Sequence, residues 1–252
     1  MTIVEEYKNQ NSWRNWISCI EKLPVNINDT ILDLGCGTGH VAKLLAERSL
    51  RVIGIDMNAG LIREAEATNK AFNIQYIVED LKSLDRLELP MADGIWTSFA
   101  VAYFPVFAPL LKTWINLLKP YGWIAIVEVN DLFAHFPVSQ STRNTFKKYY
   151  ERQRTNNIYD FEMGSKIKDF LINEKMTIII DENLYDRELA FNGPADKQIL
   201  VAWENRLDRM AALQNYTGKD QFAKIKDEFL QCLVSEKHFC ETEVKYIVAK
   251  KN

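Results

Sequence analysis

The sequence predicts an α/β protein, three α/β/α layers around a mostly parallel sheet with an antiparallel C-terminal strand and additional helices. Three observations lead there. Apolar strand-like runs alternate with amphipathic helical runs over the first 130 residues, the pattern of a parallel sheet covered on both faces. The first strand runs directly into three glycines spaced two apart, Gly35, Gly37 and Gly39. Glycine at that density marks positive φ angles or close approach of the main chain to a ligand. Seventeen residues after Gly39, a second apolar strand ends in the acid Asp56, which is the layout of a nucleoside-binding βαβ unit.

The elements follow in order. Residues 3–22 carry Ile3, Tyr7, Trp13, Trp16, Ile17 and Ile20 as one helical stripe ahead of strand one at 30–34. A helix starts at His40, with Val41, Leu44 and Leu45 on one face. Strand two is 51–55, and Asn58 is placed to cap a helix reaching about residue 70. Residues 73–78 make strand three, ending at Glu79-Asp80, and residues 92–98 make strand four. Phe107, Leu110, Leu111, Trp114, Leu117 and Leu118 form an amphipathic helix closed by Pro120 and Gly122, and strand five is 123–129.

Beyond residue 130 the pattern changes. Asp131 to Asp160 is polar and aromatic without a strong period. A short helix is expected at 165–174, a sixth strand at 176–180 and a last strand at 244–249. Two amphipathic helices lie between those strands. One begins at Pro194 and carries Ile199, Trp203, Leu207 and Met210; the other carries Phe222, Ile225, Phe229 and Leu233. With no repeat or linker, residues 1–252 read as a single domain into which these helices are inserted.

Bulk properties narrow the function. A net charge of −3 argues against a nucleic-acid binder. The basic run Lys147, Lys148, Arg152 and Arg154 reads as a solvated helix face. Cys19, Cys36, Cys232 and Cys240 show neither CxxC nor metal spacing, so reduced thiols in a cytoplasmic protein without a metal are expected. No signal-peptide pattern opens the chain. Residues 94–111 are uncharged for eighteen positions, long enough for a membrane span. Pro105 and Pro109 interrupt that stretch, so it reads as a buried strand, a loop and a helix start.

Ligands of such sheets sit at the carboxyl ends of the strands. That places Gly35–Gly39, Asp56, Asp80 and Ser98 along one rim. A dinucleotide fingerprint needs its third glycine at the position held here by His40; Gly39 comes one residue early. The sequence instead resembles the class I S-adenosylmethionine-dependent methyltransferases, a Rossmann-like family. Its motif of an acid followed by G-x-G-x-G stands here as Asp33, Gly35, Gly37 and Gly39, then Asp56, then Glu79-Asp80-Leu81, over about residues 29–130. The resemblance implies S-adenosyl-L-methionine as cofactor, released as S-adenosyl-L-homocysteine. It implies that the glycines run beside the methionine part and that Asp33 faces its ammonium. Asp56 would hold the ribose hydroxyls, Met57 would pack on adenine, Asp80 and the Leu81 backbone would meet the adenine edge, and Ser98 and Phe99 would flank the substrate side.

The acceptor is less legible. Thr97-Ser98-Phe99-Ala100 is not the Asn/Asp-Pro-Pro-aromatic motif of amide methylation, and no Pro-Cys nucleophile is present. A small molecule methylated at O or N is expected, with RNA or protein methylation and non-catalytic cofactor binding as alternatives. The family implies a helical lid, here about 1–22, 131–165 and 184–240. Pocket candidates are Tyr7, Trp13, Tyr103, Glu128, Asn130, His135, Trp203 and Arg206. His135 and Glu128 are the candidate catalytic groups.

Overall fold

The computed structural model describes residues 2–252. Seven strands form one sheet in the order β3-β2-β1-β4-β5-β9-β7. They are β1 Thr30–Leu34, β2 Arg51–Asp56, β3 Ile74–Val78, β4 Ala92–Ser98, β5 Leu118–Asn130, β7 Thr177–Leu184 and β9 Glu243–Lys250. Strands β1 to β5 pair in parallel, and β9 runs antiparallel between β5 and β7. The expected C-terminal antiparallel strand is therefore inserted between two others. A separate two-stranded ribbon joins β6, His135–Phe136, to β8, Phe239–Cys240.

Side chains of a strand alternate between faces, and both faces here are buried. Ile31, Val52, Trp96, Ala125 and Val248 point into one core, with α2 (Trp16–Glu21) and α3 (His40–Ala46) over it. Leu32, Ile53, Ile95, Ile124 and Ile247 point into the other, covered by α5 (Phe107–Asn116) and α7 (Ile167–Asn173). The uncharged stretch 94–111 is the end of β4, a turn and the start of α5. No helix among the described residues is long and apolar enough to cross a membrane.

Four boundaries differ from expectation. The N-terminal stripe breaks into α1, Ile3–Trp13, and α2, because Arg14 is extended and Asn15 caps α2 through Ser18 N. The helix expected through Leu118 stops at Asn116. Leu118 pairs with Ala92 instead, and Lys119 bonds Asp93, so Pro120 and Gly122 fall inside a strand. The aperiodic stretch holds α6, Gln140–Thr155, capped by Ser139. Its buried face is Thr142, Phe146, Tyr149, Tyr150 and Gln153, too polar to register as a stripe. Finally, α8 spans Lys197–Arg209 rather than starting at Pro194: Ala195 N–H is committed to Leu233 O, and Asp196 supplies the cap. Short α4, Ala59–Thr68, follows β2, capped by Asn58 as expected; α9, Ala211–Thr217, and α10, Lys219–Leu233, complete the helices.

Candidate active site

A cavity of about 620 Å³ opens at the carboxyl ends of β1, β2 and β4. Its floor is the turn after β1. Gly35 N–H and Cys36 N–H both donate to Ile55 O, at 2.8 and 3.1 Å, so the turn is bonded onto β2. Gly35 (φ +78°) has no room for a side chain, since a Cβ there would lie 2.7 Å from Ala100 Cβ. At Gly37 (φ +53°) a Cβ would stand 3.1 Å from the Tyr7 ring. The bare backbone is thus held between β4's exit and α1, and His40 begins α3 immediately beyond.

The acids of the motif differ in their surroundings. Asp33 lines the cavity at 1 % exposure, and its Oδ2 has no hydrogen-bond partner among the described residues. Burial, then the nearby Asp56 charge, push its carboxyl up to about 8. Asp56 Oδ2 accepts Gly37 N–H at 3.0 Å and Oδ1 accepts Asn58 N–H at 2.8 Å. Burial still holds its pKa above the usual range. Met57, Leu81, Ser98 and Phe99 line the same cavity. Asp80 and Gly39 are not in its lining; Asp80 Oδ1 accepts Lys82 N–H and caps the 3-10 turn Leu81–Arg86. A buried carboxylate oxygen without a partner beside a side-chain-free turn suits a ligand with a cationic group next to a nucleoside. The donor set therefore fits S-adenosylmethionine.

Phe99 sits at φ +53°, uncommon for a bulky residue. Its amide donates to Val127 O at 2.8 Å and the Arg14 guanidinium covers its ring at 4.3 Å, so contacts on both sides hold it there.

The opposite wall comes from all three expected lid segments. Tyr7 and Gln10 come from α1, Tyr149 and Gln153 from α6, Tyr159 and Phe161 from the loop after α6, and Arg206 and Arg209 from α8. Asp160 N–H donates to Ala102 O at 2.8 Å, and the Tyr103 and Tyr159 rings meet edge to face at 4.9 Å. Behind this wall, Arg14 bonds Asp186 and Glu188, Arg206 bonds Glu188, and Arg209 bonds Glu6. Gln10 Nε2 donates to both Glu6 and Glu188. Three cations face three anions in one partly buried cluster.

Of the eight pocket candidates, Tyr7, Tyr103 and Arg206 line the cavity. The others do not. His135 is fully buried in the β6–β8 ribbon, where its ring stacks on His238. His238 Nδ1–H donates to Gly193 O, which leaves His238 Nε2 to accept from His135 Nδ1–H at 2.9 Å. Burial, then His238, depress the His135 pKa to about 3. It has no path to an acceptor, and the expectation of a catalytic His135 is corrected. Glu128 is likewise fully buried outside the cavity lining. It accepts Ala102 N–H and Val129 N–H, and so fixes the turn that carries Tyr103. Burial raises its pKa to about 7, but it supports the site rather than entering it. Trp203 Nε1–H donates to Glu188 O, Asn130 Oδ1 accepts Ser165 N–H, and Trp13 packs under Arg187.

Sequence reasoning missed Gln10, Arg14, Tyr149, Gln153, Tyr159, Phe161 and Arg209. Gln10 lies three residues from both Tyr7 and Trp13, on the same helix face as the apolar stripe, and Arg14 is the extended residue between α1 and α2. The next four lie in or beside α6, and Arg209 stands three residues after Arg206, on the same helix face.

Residues 31–122 match a family described as methyltransferase domain. The chain is 33 % identical over 128 residues to the demethylmenaquinone methyltransferase of Lactobacillus johnsonii, covering 48 % of this chain and 51 % of that protein. It is 31 % identical over 111 residues to the trans-aconitate 2-methyltransferase of Azoarcus sp., with 42 % of each covered. The matches thus span about half or less of these relatives' length. Among solved structures, the Haemonchus contortus phosphoethanolamine N-methyltransferase 2 complex with phosphomonomethylethanolamine and S-adenosylhomocysteine superposes with a TM-score of 0.63 at 19 % identity, covering 98 % of this chain and 56 % of that one. At that identity the likeness is one of fold.

Proposed function

Since the chain belongs to the class I S-adenosylmethionine-dependent methyltransferase family, we propose that it binds S-adenosyl-L-methionine in this cavity and methylates an O or N atom of a small molecule. The carrying observation is the buried Asp33 Oδ2, which has no partner among the described residues and stands in the same cavity as the glycine turn and Asp56. Relatives named for demethylmenaquinone and trans-aconitate support a small acceptor. So does an aromatic cavity walled by helices.

When bound, the cofactor supplies a methyl carbon already activated by a sulfonium. The protein's task is placement, which can provide most of the rate. Asp33 neutralises the ammonium, Asp56 holds the ribose hydroxyls, and the Gly35–Gly39 backbone gives the methionine chain room. Met57 and the Leu81 backbone take the adenine, with Asp80 outside the lining and capping the turn that carries Leu81, while Ser98 and Phe99 face the acceptor. The segments 1–22, 131–165 and 184–240 exclude water as a lid. A cytoplasmic location is part of the proposal, supported by four cysteines without disulfide or metal spacing.

Calorimetry with S-adenosylmethionine, S-adenosylhomocysteine and NADH tests this. Both adenosyl compounds are expected to bind. Tight NADH binding with no response to either of them overturns the proposal.

A further inference from the structure

The acceptor end of the cavity holds one buried donor without a partner. Arg206 reaches Glu188 through one terminal nitrogen at 2.5 Å, while its Nε–H is buried and bonds nothing among the described residues. An unpaired buried donor of this kind is costly, and Arg206 lines the cavity. The acids nearby are already taken: Glu188 by Arg14 and Arg206, Asp186 by Arg14, Glu6 by Arg209. An ammonium-bearing acceptor would meet a guanidinium, with the carboxylates beside it each already held in an ion pair. An oxyanion would meet the missing partner.

The surrounding surface is aromatic. The Tyr103–Tyr159 edge-to-face pair continues through Tyr159 to Phe161, whose rings lie 4.5 Å apart. The phenolic groups of Tyr7, Tyr103 and Tyr159 all lie within electrostatic reach of Arg206. Aromatic faces around one charged donor match a planar, unsaturated molecule ending in an oxygen.

Among the described residues no free base stands at that end. His135 and His238 are buried against each other away from the cavity, and His40 starts α3 beside the glycine turn at the cofactor end. Glu6 and Glu188 are ion-paired. Burial raises the Tyr7 phenol to about 12 and also raises Tyr103. An acceptor that arrives already ionised needs no base.

We propose that Arg206 selects a planar, unsaturated acceptor carrying an oxyanion (carboxylate, enolate or phenolate), and that the methyl group goes to oxygen. This rests on the methyl-transfer reading above. An oxygen lone pair forms the new O–C bond as the C–S bond of the sulfonium breaks; the C–S pair stays on sulfur as a neutral thioether, and no proton is removed.

The test is calorimetric titration of cinnamate and cinnamylamine, matched planar probes, into protein saturated with S-adenosylhomocysteine. Cinnamate is expected to bind at least about tenfold tighter than the amine, because a charge-assisted bond replaces a repulsion. Arg206→Met is expected to bring the ratio below about twofold. Arg206→Lys keeps a cation for Glu188 but lacks the Nε–H, and it too is expected to erase the preference while S-adenosylhomocysteine affinity stays unchanged. Equal or tighter amine binding, binding of neither probe, or a preference that survives both variants overturns the proposal. If S-adenosylhomocysteine fails to bind, the methyl-transfer reading fails. Titration of the same two probes into the free protein then still decides the role of Arg206.

Discussion

The Asp56 carboxylate accepts the Gly37 amide at 3.0 Å, which ties the end of β2 to the middle of the turn after β1. The same carboxylate accepts Asn58 N–H through its other oxygen. One side chain therefore shapes the turn, and in the proposed reading the same carboxylate would hold the ribose. Asp56→Ala should weaken S-adenosylhomocysteine binding by about 1.5–3 kcal/mol, roughly ten- to a hundredfold, the scale of hydrogen bonds to a charged group. Calorimetry checks it. Unchanged affinity would mean that the acid only organises the turn.

Asp33 should make stability depend on pH. Its folded pKa is raised from 3.8 to about 8, so the folded state favours the neutral carboxyl. That contribution is complete below the ordinary value and is lost as pH rises through about 8. The melting temperature of the free protein should fall between about pH 4 and 8, and Asp33→Asn should flatten the fall. Binding of a cation beside Asp33 favours its ionised form. Binding heats near pH 7 should therefore vary with the buffer's ionisation enthalpy in the wild type more than in Asp33→Asn. Identical pH profiles for the two proteins would remove Asp33 as the titrating group.

Strands β1 to β4 and the glycine turn were legible because short-range pattern fixes them. Each strand is a compact apolar run, and each motif residue stands at a strand end. Residues from the three segments expected to form a lid line the cavity, but their geometry was not legible in the sequence. In α6 two of the buried positions are Thr142 and Gln153, so the inward stripe does not stand out from its polar neighbours. The fate of His135 depends on His238, more than a hundred residues away. Only the fold brings them together, and no local pattern announces that pairing. Glu128 stood at the expected strand end, yet its carboxylate turned to two backbone amides instead of the cavity.

The His135–His238 pair should make the protein acid-labile. The His135 pKa is lowered from 6.5 to about 3. The stability of the neutral ring is complete above pH 6.5 and is lost as pH falls toward 3, because the unfolded chain takes up the proton first. His135→Phe should reduce the acid slope of the melting temperature, although it leaves His238 Nε2 without a partner. S-adenosylhomocysteine affinity should stay within about twofold, since neither ring lines the cavity. A large loss of cofactor affinity in a well-folded variant would return His135 to the site.

Gly37 and Tyr7 offer a test of how α1 covers the turn. Gly37 sits at φ +53°, and a Cβ there would lie 3.1 Å from the Tyr7 ring. Gly37→Ala therefore carries two costs: left-handed backbone strain, about 1–2 kcal/mol for a residue with a Cβ, and a push against α1. Strain is intrinsic to the turn and should persist whatever covers it. The push should vanish when the ring is removed. In a double-mutant cycle, Tyr7→Ala alone should cost apolar contact, while Gly37→Ala should be less damaging in the Tyr7→Ala background than in the wild type. A coupling of about 0.5 kcal/mol or more, in stability or in S-adenosylhomocysteine affinity, is the expected sign of direct contact. Strict additivity would mean that α1 yields freely, and that Tyr7 rests over the turn without holding it.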